Sequence, residues 1–196
     1  MKALALAAAV MLAGTASAAF FEDFEGGIPG TWTLVDNTGN GGWAINTYFG
    51  DDNWTSGGGL CATIDSDYYG QVDIDAELIS PAIVVPSGAA LEFDTNYITY
   101  TGADYADTDI SLDGGASWMN LLSWHGDEDE QGTFWGDGVH ISVDLFDFAG
   151  EEAMFRFHYY DANWEWYWQV DNFTVTPAPG ALALLGLAVL MGRRRR

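Results

Sequence analysis

Between residues 20 and 176 the hydrophobic positions come in short runs that alternate with polar ones, and the runs are separated by glycine-rich punctuation. Along Met154–Tyr160, Phe155, Phe157 and Tyr159 fall on one face while Met154, Arg156 and His158 fall on the other, the period of two expected of a half-buried strand. Runs rich in aromatic and β-branched residues predict strands over Phe20–Phe24, Trp32–Asp36, Trp43–Asn46, Leu60–Asp65, Glu77–Val84 and Ala90–Tyr100. The same reading predicts strands over Thr108–Ser111, Trp118–Ser123, Val139–Asp144, Met154–Tyr160 and Trp168–Val175. Gly26-Gly27, Asn37–Gly42, Gly57–Gly59 and Asp113–Gly115 supply the turns. The clearest hairpin joins Asp109–Leu112 to Trp118–Leu121 across Asp113-Gly114-Gly115. No helical period persists anywhere in this region. Many short, evenly spaced strands predict an all-β fold, a two-sheet antiparallel β-sandwich of jelly-roll type.

The two ends follow different patterns. Lys2, the apolar run Ala3–Ala13 and the small-residue site Ala16-Ser17-Ala18 read as a secretory signal peptide over residues 1–18. At the other end, Pro177-Ala178-Pro179-Gly180 leads into the apolar run Ala181–Met191 and then Arg193, Arg194, Arg195 and Arg196. As a helix that run spans about 16 Å, about half the hydrocarbon core of a bilayer. It is a marginal span with a charged stop, the design of a tail that is processed after sorting. Residues 177–196 resemble the PEP-CTERM sorting signal of bacterial exosortase systems, with Ala178 standing where that family has Glu. The resemblance implies a membrane-embedded sorting protease as partner. It also implies a destination at the cell surface or in an exopolysaccharide matrix, with the membrane touched only through the terminal segments. The expected architecture is therefore a jelly-roll domain over residues 20–176, flanked by a signal peptide and a hydrophobic sorting helix.

Charge narrows the function. All 29 acidic residues of the chain lie between Glu22 and Asp171, where Arg156 is the one Lys or Arg, so the body carries −28 before its histidines are counted. Nucleic-acid binding needs a basic footprint and is excluded. Hard cations, above all calcium, become expected partners. Arg156 lies mid-strand and must be partly buried and paired; Asp171 and Glu92 are the candidate carboxylates. The one cysteine, Cys61, leaves no disulfide framework within the chain and reads as a small buried residue.

The body resembles the MAM-like jelly-roll domains of bacterial surface proteins, the choice-of-anchor type. The likeness rests on Phe21–Gly26, Leu78–Ile83, Ser111–Trp118, Arg156–Tyr159 and Trp168–Phe173. It implies a two-sheet jelly roll with structural calcium and no catalytic activity; similar modules occur in cleaved adhesins.

Candidate calcium ligands are the D-x-D pairs Asp65/Asp67 and Asp73/Asp75, whose side chains point the same way on an extended chain. A second acidic set is Glu22, Asp23 and Glu25, which Asp171 joins if the first and last strands meet. Asp127–Glu130 reads as a solvated loop. His125, His140 and His158 lack zinc-ligand spacing, and no serine sits in a G-x-S-x-G elbow. For a ligand surface the candidate is Trp164, Trp166 and Trp168, with Trp54 and Trp135 from other loops, because exposed rings beside Asp, Asn and Glu suit the faces and hydroxyls of sugars. The expected function is an exported, non-enzymatic adhesive or structural module of the surface or matrix. A carbohydrate-binding module using Trp164–Trp168 is the alternative, and a secreted hydrolase a more distant one.

Overall fold

Aromatic and β-branched residues at every second position give two layers of antiparallel strands, whose apolar faces meet. The computed structural model describes residues 20–177. One sheet carries β1 (Phe20–Glu22), β3 (Ala44–Ile45), β4 (Ala62–Asp65), β7 (Ala89–Ile98), β10 (Val139–Asp144) and β12 (Tyr167–Pro177). Its order is β10-β7-β12-β4-β3, with β1 on the same side of β12 as β4, further along the strand. The second sheet runs β2 (Thr33–Asp36), β5 (Ile74–Ile79), β11 (Glu152–Ala162), β8 (Tyr105–Ser111) and β9 (Met119–His125), and β6 (Ile83–Val84) continues beside β11. Two single-turn helices, α1 (Asn46–Phe49) and α2 (Ser66–Tyr69), interrupt the connections on either side of β4.

The core lies between the sheets. Leu91, Phe93, Trp168, Val170, Phe173 and Val175 come from one layer; Ile74, Leu78, Ile110, Phe155, Phe157 and Tyr159 come from the other. β11 alternates as its sequence demands, with Phe155, Phe157 and Tyr159 buried and Met154, Arg156 and His158 on the outer face. The hairpin forms between β8 and β9, pairing Ile110 with Met119 and Asp109 with Asn120. Asp113 closes it: its carboxylate accepts from the Ser117 hydroxyl at 2.6 Å, the Ser117 amide at 2.8 Å and the Ser111 hydroxyl at 2.8 Å, which hold its carboxyl down at about 2. Cys61 is buried and its thiol is pushed up to about 12 by burial.

Two β-bulges interrupt the strand ladders. In β12 the register to β7 shifts between Asp171 and Thr174, and Asn172 takes a positive φ of 49°. The extra residue changes the phase, so Trp168 and Val170 before it and Phe173 and Val175 after it all reach the core. In β11 a second shift falls between Tyr159 and Ala162, with Asp161 at φ 55°.

Strand order also settles the partners of Arg156, the one arginine among the described residues. β11 lies between β5 and β8, so Arg156 meets Asp109 at 2.7 Å and Glu77 at 3.2 Å, and its guanidinium sits 4.6 Å from the centre of the Trp118 ring. Asp171 and Glu92, expected from the sequence, belong to the other sheet and do not pair with it. The segment expected as a signal peptide and the tail from Ala178 onward lie outside the described residues; Pro177 is the last residue of β12 and pairs with Ala89. Among the described residues no helix is long and apolar enough to cross a membrane.

Candidate functional site

The connections β7–β8, β9–β10 and β11–β12, together with α2, converge at one end of the sandwich, as the pairing of Tyr167 with both Asp65 and Ile98 requires. Aromatic side chains crowd this end. Trp164 is 46% exposed, Trp135 63% and Tyr100 65%. Tyr100 packs edge-on to Trp166 at 5.5 Å, Phe134 tilts over Trp166 at 4.8 Å, and Phe134 stacks on Trp135 at 4.4 Å. Tyr68 continues the surface toward Tyr48 and Phe49, with ring centres 5.5 Å and 5.2 Å away. A pocket of about 220 Å³ opens among Asp67, Tyr100, Trp164 and Trp166.

The rings are held in place by unusual backbone and one buried acid. Trp135, Trp164 and Trp166 all have positive φ, at 51°, 62° and 28°, a region that side-chain-bearing residues seldom enter. Such conformations persist where surrounding contacts over-determine them, and they cluster at ligand sites. Glu165 supplies those contacts. Its Oε2 accepts from the Thr99 hydroxyl at 2.8 Å and from the amides of Tyr100, Thr101 and Gly102 at 2.9, 2.6 and 3.2 Å, while Oε1 accepts from the Thr101 hydroxyl. Burial pushes this carboxyl up, but the hydrogen bonds from Thr101, Thr99 and Tyr100 outweigh it and hold it below the usual range. The β7–β8 turn is thus fastened to the residue between the two tryptophans.

The tryptophans expected as one surface divide. Trp164 is exposed and Trp166 half-buried at the pocket, whereas Trp168 is 0% exposed. Trp168 packs against Trp43 at 5.3 Å and Phe157 at 5.6 Å, and its indole N–H donates to Thr95 Oγ1 at 2.9 Å. Once the chain enters β12 at Tyr167, Trp168 takes the inward face, so it belongs to the core and not to the ligand surface. Trp54 lies against Tyr167 at 4.6 Å, in a loop that covers β12. Tyr100, Phe134 and Glu165 were not singled out in the sequence; an acid enclosed by two tryptophans in a turn-like stretch was the available signal.

The acidic residues fall into separate places. The D-x-D geometry fails at Asp65/Asp67 because α2 begins at Ser66: Asp65 caps that helix, accepting from the Tyr68 amide at 3.0 Å, and Asp67 lines the aromatic pocket. Asp65 instead faces Asp51. Burial pushes Asp51 up to about 7 and Asp65 up to about 6. Asp73 accepts from Asn163 at 2.8 Å, and Asp75 lies 2.8 Å from His158 Nε2. The ligand atoms of Asp75, Glu77 and His158 all lie within 4.8 Å of one another, but Asn37 already donates to both carboxylates and Arg156 to Glu77. Glu22 and Asp23 turn back to the amides of Phe24 and Glu25. Glu25 and Asp171 converge on the Gly57–Gly59 loop: a Cβ at Gly57 would lie 2.1 Å from Asp171 Oδ2, and one at Gly59 1.8 Å from Glu25 Oε1. Burial pushes Asp171 up to about 6, with Asn53 donating to it at 2.8 Å. Of the other histidines, His140 Nδ1 pairs with Asp94 at 2.7 Å and His125 stacks on Tyr105 at 4.0 Å.

These raised carboxyls fix the direction of pH dependence. Asp51, Asp65, Asp104 and Asp171 hold protons in the folded chain at about 6–7 that the unfolded chain releases near its ordinary value. Stability therefore rises as pH is lowered through that window and stops rising below the unfolded value. Below it, Glu165 and Asp113, whose carboxyls are depressed, lose their contribution. Melting in chelator at high salt, which screens general repulsion, should therefore rise from pH 8 down to about pH 4. A melting temperature that is flat or that rises from pH 5 to pH 8 contradicts this assignment.

No protein-family model matches the chain, and no curated protein matches it either. Solved structures do share the fold. The K1 cleaved adhesin domain of Lys-gingipain from Porphyromonas gingivalis aligns over 81% of this chain and 98% of its own, with a TM-score of 0.64 and 23% identity. The K3 cleaved adhesin domain of the same protein aligns over 80% and 98%, with a TM-score of 0.58 and 21% identity. The carbohydrate-binding module TmCBM61, in complex with beta-1,4-galactotriose, aligns over 79% and 94%, with a TM-score of 0.53 and 11% identity. This chain is thus an all-β two-sheet sandwich of the kind found in adhesin domains and carbohydrate-binding modules.

Proposed function

We propose that this domain is a non-catalytic adhesive module that binds glycans through the platform of Tyr100, Trp164 and Trp166. The observation that supports it most is the exposed, pocketed aromatic surface whose strained backbone is fastened by Glu165. Ring faces stack on the CH faces of a sugar, and Asp67 at the pocket accepts from its hydroxyls. The sandwich shared with adhesin domains and with a galactotriose-binding module is consistent with this reading. Affinity electrophoresis of the folded chain through gels containing exopolysaccharide, β-galactan or β-glucan tests it. Retardation by at least one of them, with quenching of tryptophan emission, is expected; migration indifferent to all of them rejects it.

The proposal includes export by the segment over residues 1–18 and sorting by Pro177, Ala178, Pro179 and Arg193–Arg196 through an exosortase-type protease. What supports this is the order of those residues in the sequence. Changing the four arginines to alanine should abolish processing and surface display; unchanged display rejects it. A structural calcium at Glu25 and Asp171 belongs to the same proposal, supported by their convergence on the Gly57–Gly59 loop.

A further inference from the structure

Building on the glycan reading of this end of the sandwich, we infer that its pocket selects a protonated amino sugar, whose ammonium group meets Asp67 while its ring lies against the aromatic walls. The pocket of about 220 Å³ is lined by the rings of Tyr100, Trp164 and Trp166, and its one charged side chain is Asp67. Pockets that enclose a drug-sized ligand run to about 300–1,000 Å³, so this one takes a single sugar residue of a chain.

The walls are not one flat surface. The Tyr100 and Trp166 rings stand 76° apart, with centres 5.5 Å from each other. A neutral sugar face needs one plane to lie on, whereas two nearly perpendicular rings and a carboxylate close around a compact group from several sides. Aromatic faces attract cations, tryptophan most strongly, and the attraction persists at exposed sites. Tyr100 and Trp164 are both exposed, so a ligand reaches them from solvent. An ammonium group in this place also donates to the Asp67 carboxylate, a charge-assisted hydrogen bond that a hydroxyl cannot match.

No protein cation competes for the position. Arg156, the one arginine among the described residues, lies on the outer face of β11 and is held by Asp109 and Glu77. His140 and His158 pair with Asp94 and Asp75, so no ion pair among the described residues uses Asp67. Further acids surround the pocket instead. Glu165 lies between the two tryptophans and accepts from the Tyr100 amide at 2.9 Å, and Glu130 accepts from the neighbouring Thr99 amide at 3.2 Å. A uronic-acid or sulfated glycan meets like charge here, with no protein cation to offset it, and is rejected. A neutral sugar gains only a hydrogen bond from Asp67. A protonated amine gains the hydrogen bond, the charge pair and the ring faces together.

Short β-1,4-linked oligomers of glucose, N-acetylglucosamine and glucosamine, which differ only in the group on C2, test this. Each is titrated calorimetrically into the full chain, at a pH that protonates the amine and at high salt. Salt screens the general attraction of a polycation to the acidic body more than it screens a contact pair. The glucosamine oligomer should bind at least about tenfold tighter than either neutral one, the combined scale of one surface ion pair and one cation–π contact. Asp67→Asn keeps the shape without the charge and should reduce that preference below about twofold. Asp147→Asn removes the same charge beyond β10, whose last residue pairs with Ala90 at the far end of β7 from Tyr100, and should leave the preference unchanged. No binding of the glucosamine oligomer, equal binding of all three, or a preference that survives in Asp67→Asn overturns the inference. Retardation of the chain by β-galactan or β-glucan gels keeps the glycan reading even where the amine preference is absent, so the two fail separately.

Discussion

Arg156→Met is expected to lower the melting temperature of the chain by about 6–20 °C. The Arg156 side chain is 15% exposed and its guanidinium lies between Asp109 and Glu77, whose side chains are only 5% and 14% exposed. Methionine keeps much of the apolar stem but leaves two carboxylates facing each other on a sheet that offers no other Lys or Arg. Removing one partner from a buried ion pair costs about 3–5 kcal/mol. In a chain of this size each kcal/mol shifts melting by about 2–4 °C. The contact with the Trp118 ring is lost as well. Adding Glu77→Gln and Asp109→Asn to Arg156→Met should recover most of the loss, because the deficit comes from uncompensated charge. If Arg156→Met melts within 2 °C of the wild type, roughly the effect of one solvent-exposed pair, the arginine does not hold the outer face of the sheet.

Truncating either platform tryptophan should weaken glycan binding by at least about 30-fold, the scale of a central aromatic hot spot. Trp166→Ala removes the ring that Tyr100 and Phe134 both pack against, and Trp164→Ala removes the neighbouring wall of the pocket. Glu165→Ala should produce a loss of similar size without touching a ring. It frees the amides of Tyr100, Thr101 and Gly102 and so releases the turn that carries Tyr100. Glu165→Ala should also lower the melting temperature, whereas the two tryptophan variants should melt near the wild type. Phe21→Ala is the control: this ring is exposed on β1, away from the platform, and its loss should leave binding unchanged. Equal binding by Trp164→Ala, Trp166→Ala and wild type would remove the platform from consideration.

Strands were legible in the sequence where one face is apolar and the other polar, as along Phe155–Tyr159, and where a turn announces itself, as at Asp113-Gly114-Gly115. Pairing partners were not. Arg156 was matched with Asp171 and Glu92, but which strands flank β11 depends on sheet order, and that is a property of the whole core. Simple alternation also misled wherever the chain leaves extended geometry. Ser66 enters a helical turn and separates Asp65 from Asp67; the positive φ at Trp164 and Trp166 breaks the period that would have placed Trp168 beside them. The acids behaved the same way. Asp171 meets Glu25 at a glycine loop, as the closeness of first and last strands suggested, while Asp51 and Asp104 reach their burial through connections with no local pattern.

β12 has a mechanical consequence. It is an interior strand, bonded to β7 along one side and to β4 and β1 along the other, and its last residue, Pro177, leads directly into residues 178–196. A pull on Pro177 runs along the strand axis, whereas the ladder bonds of antiparallel neighbours lie across it. Those bonds are then strained together in shear instead of opening one at a time from an edge, so a tether at this terminus loads the sheet in its most resistant direction.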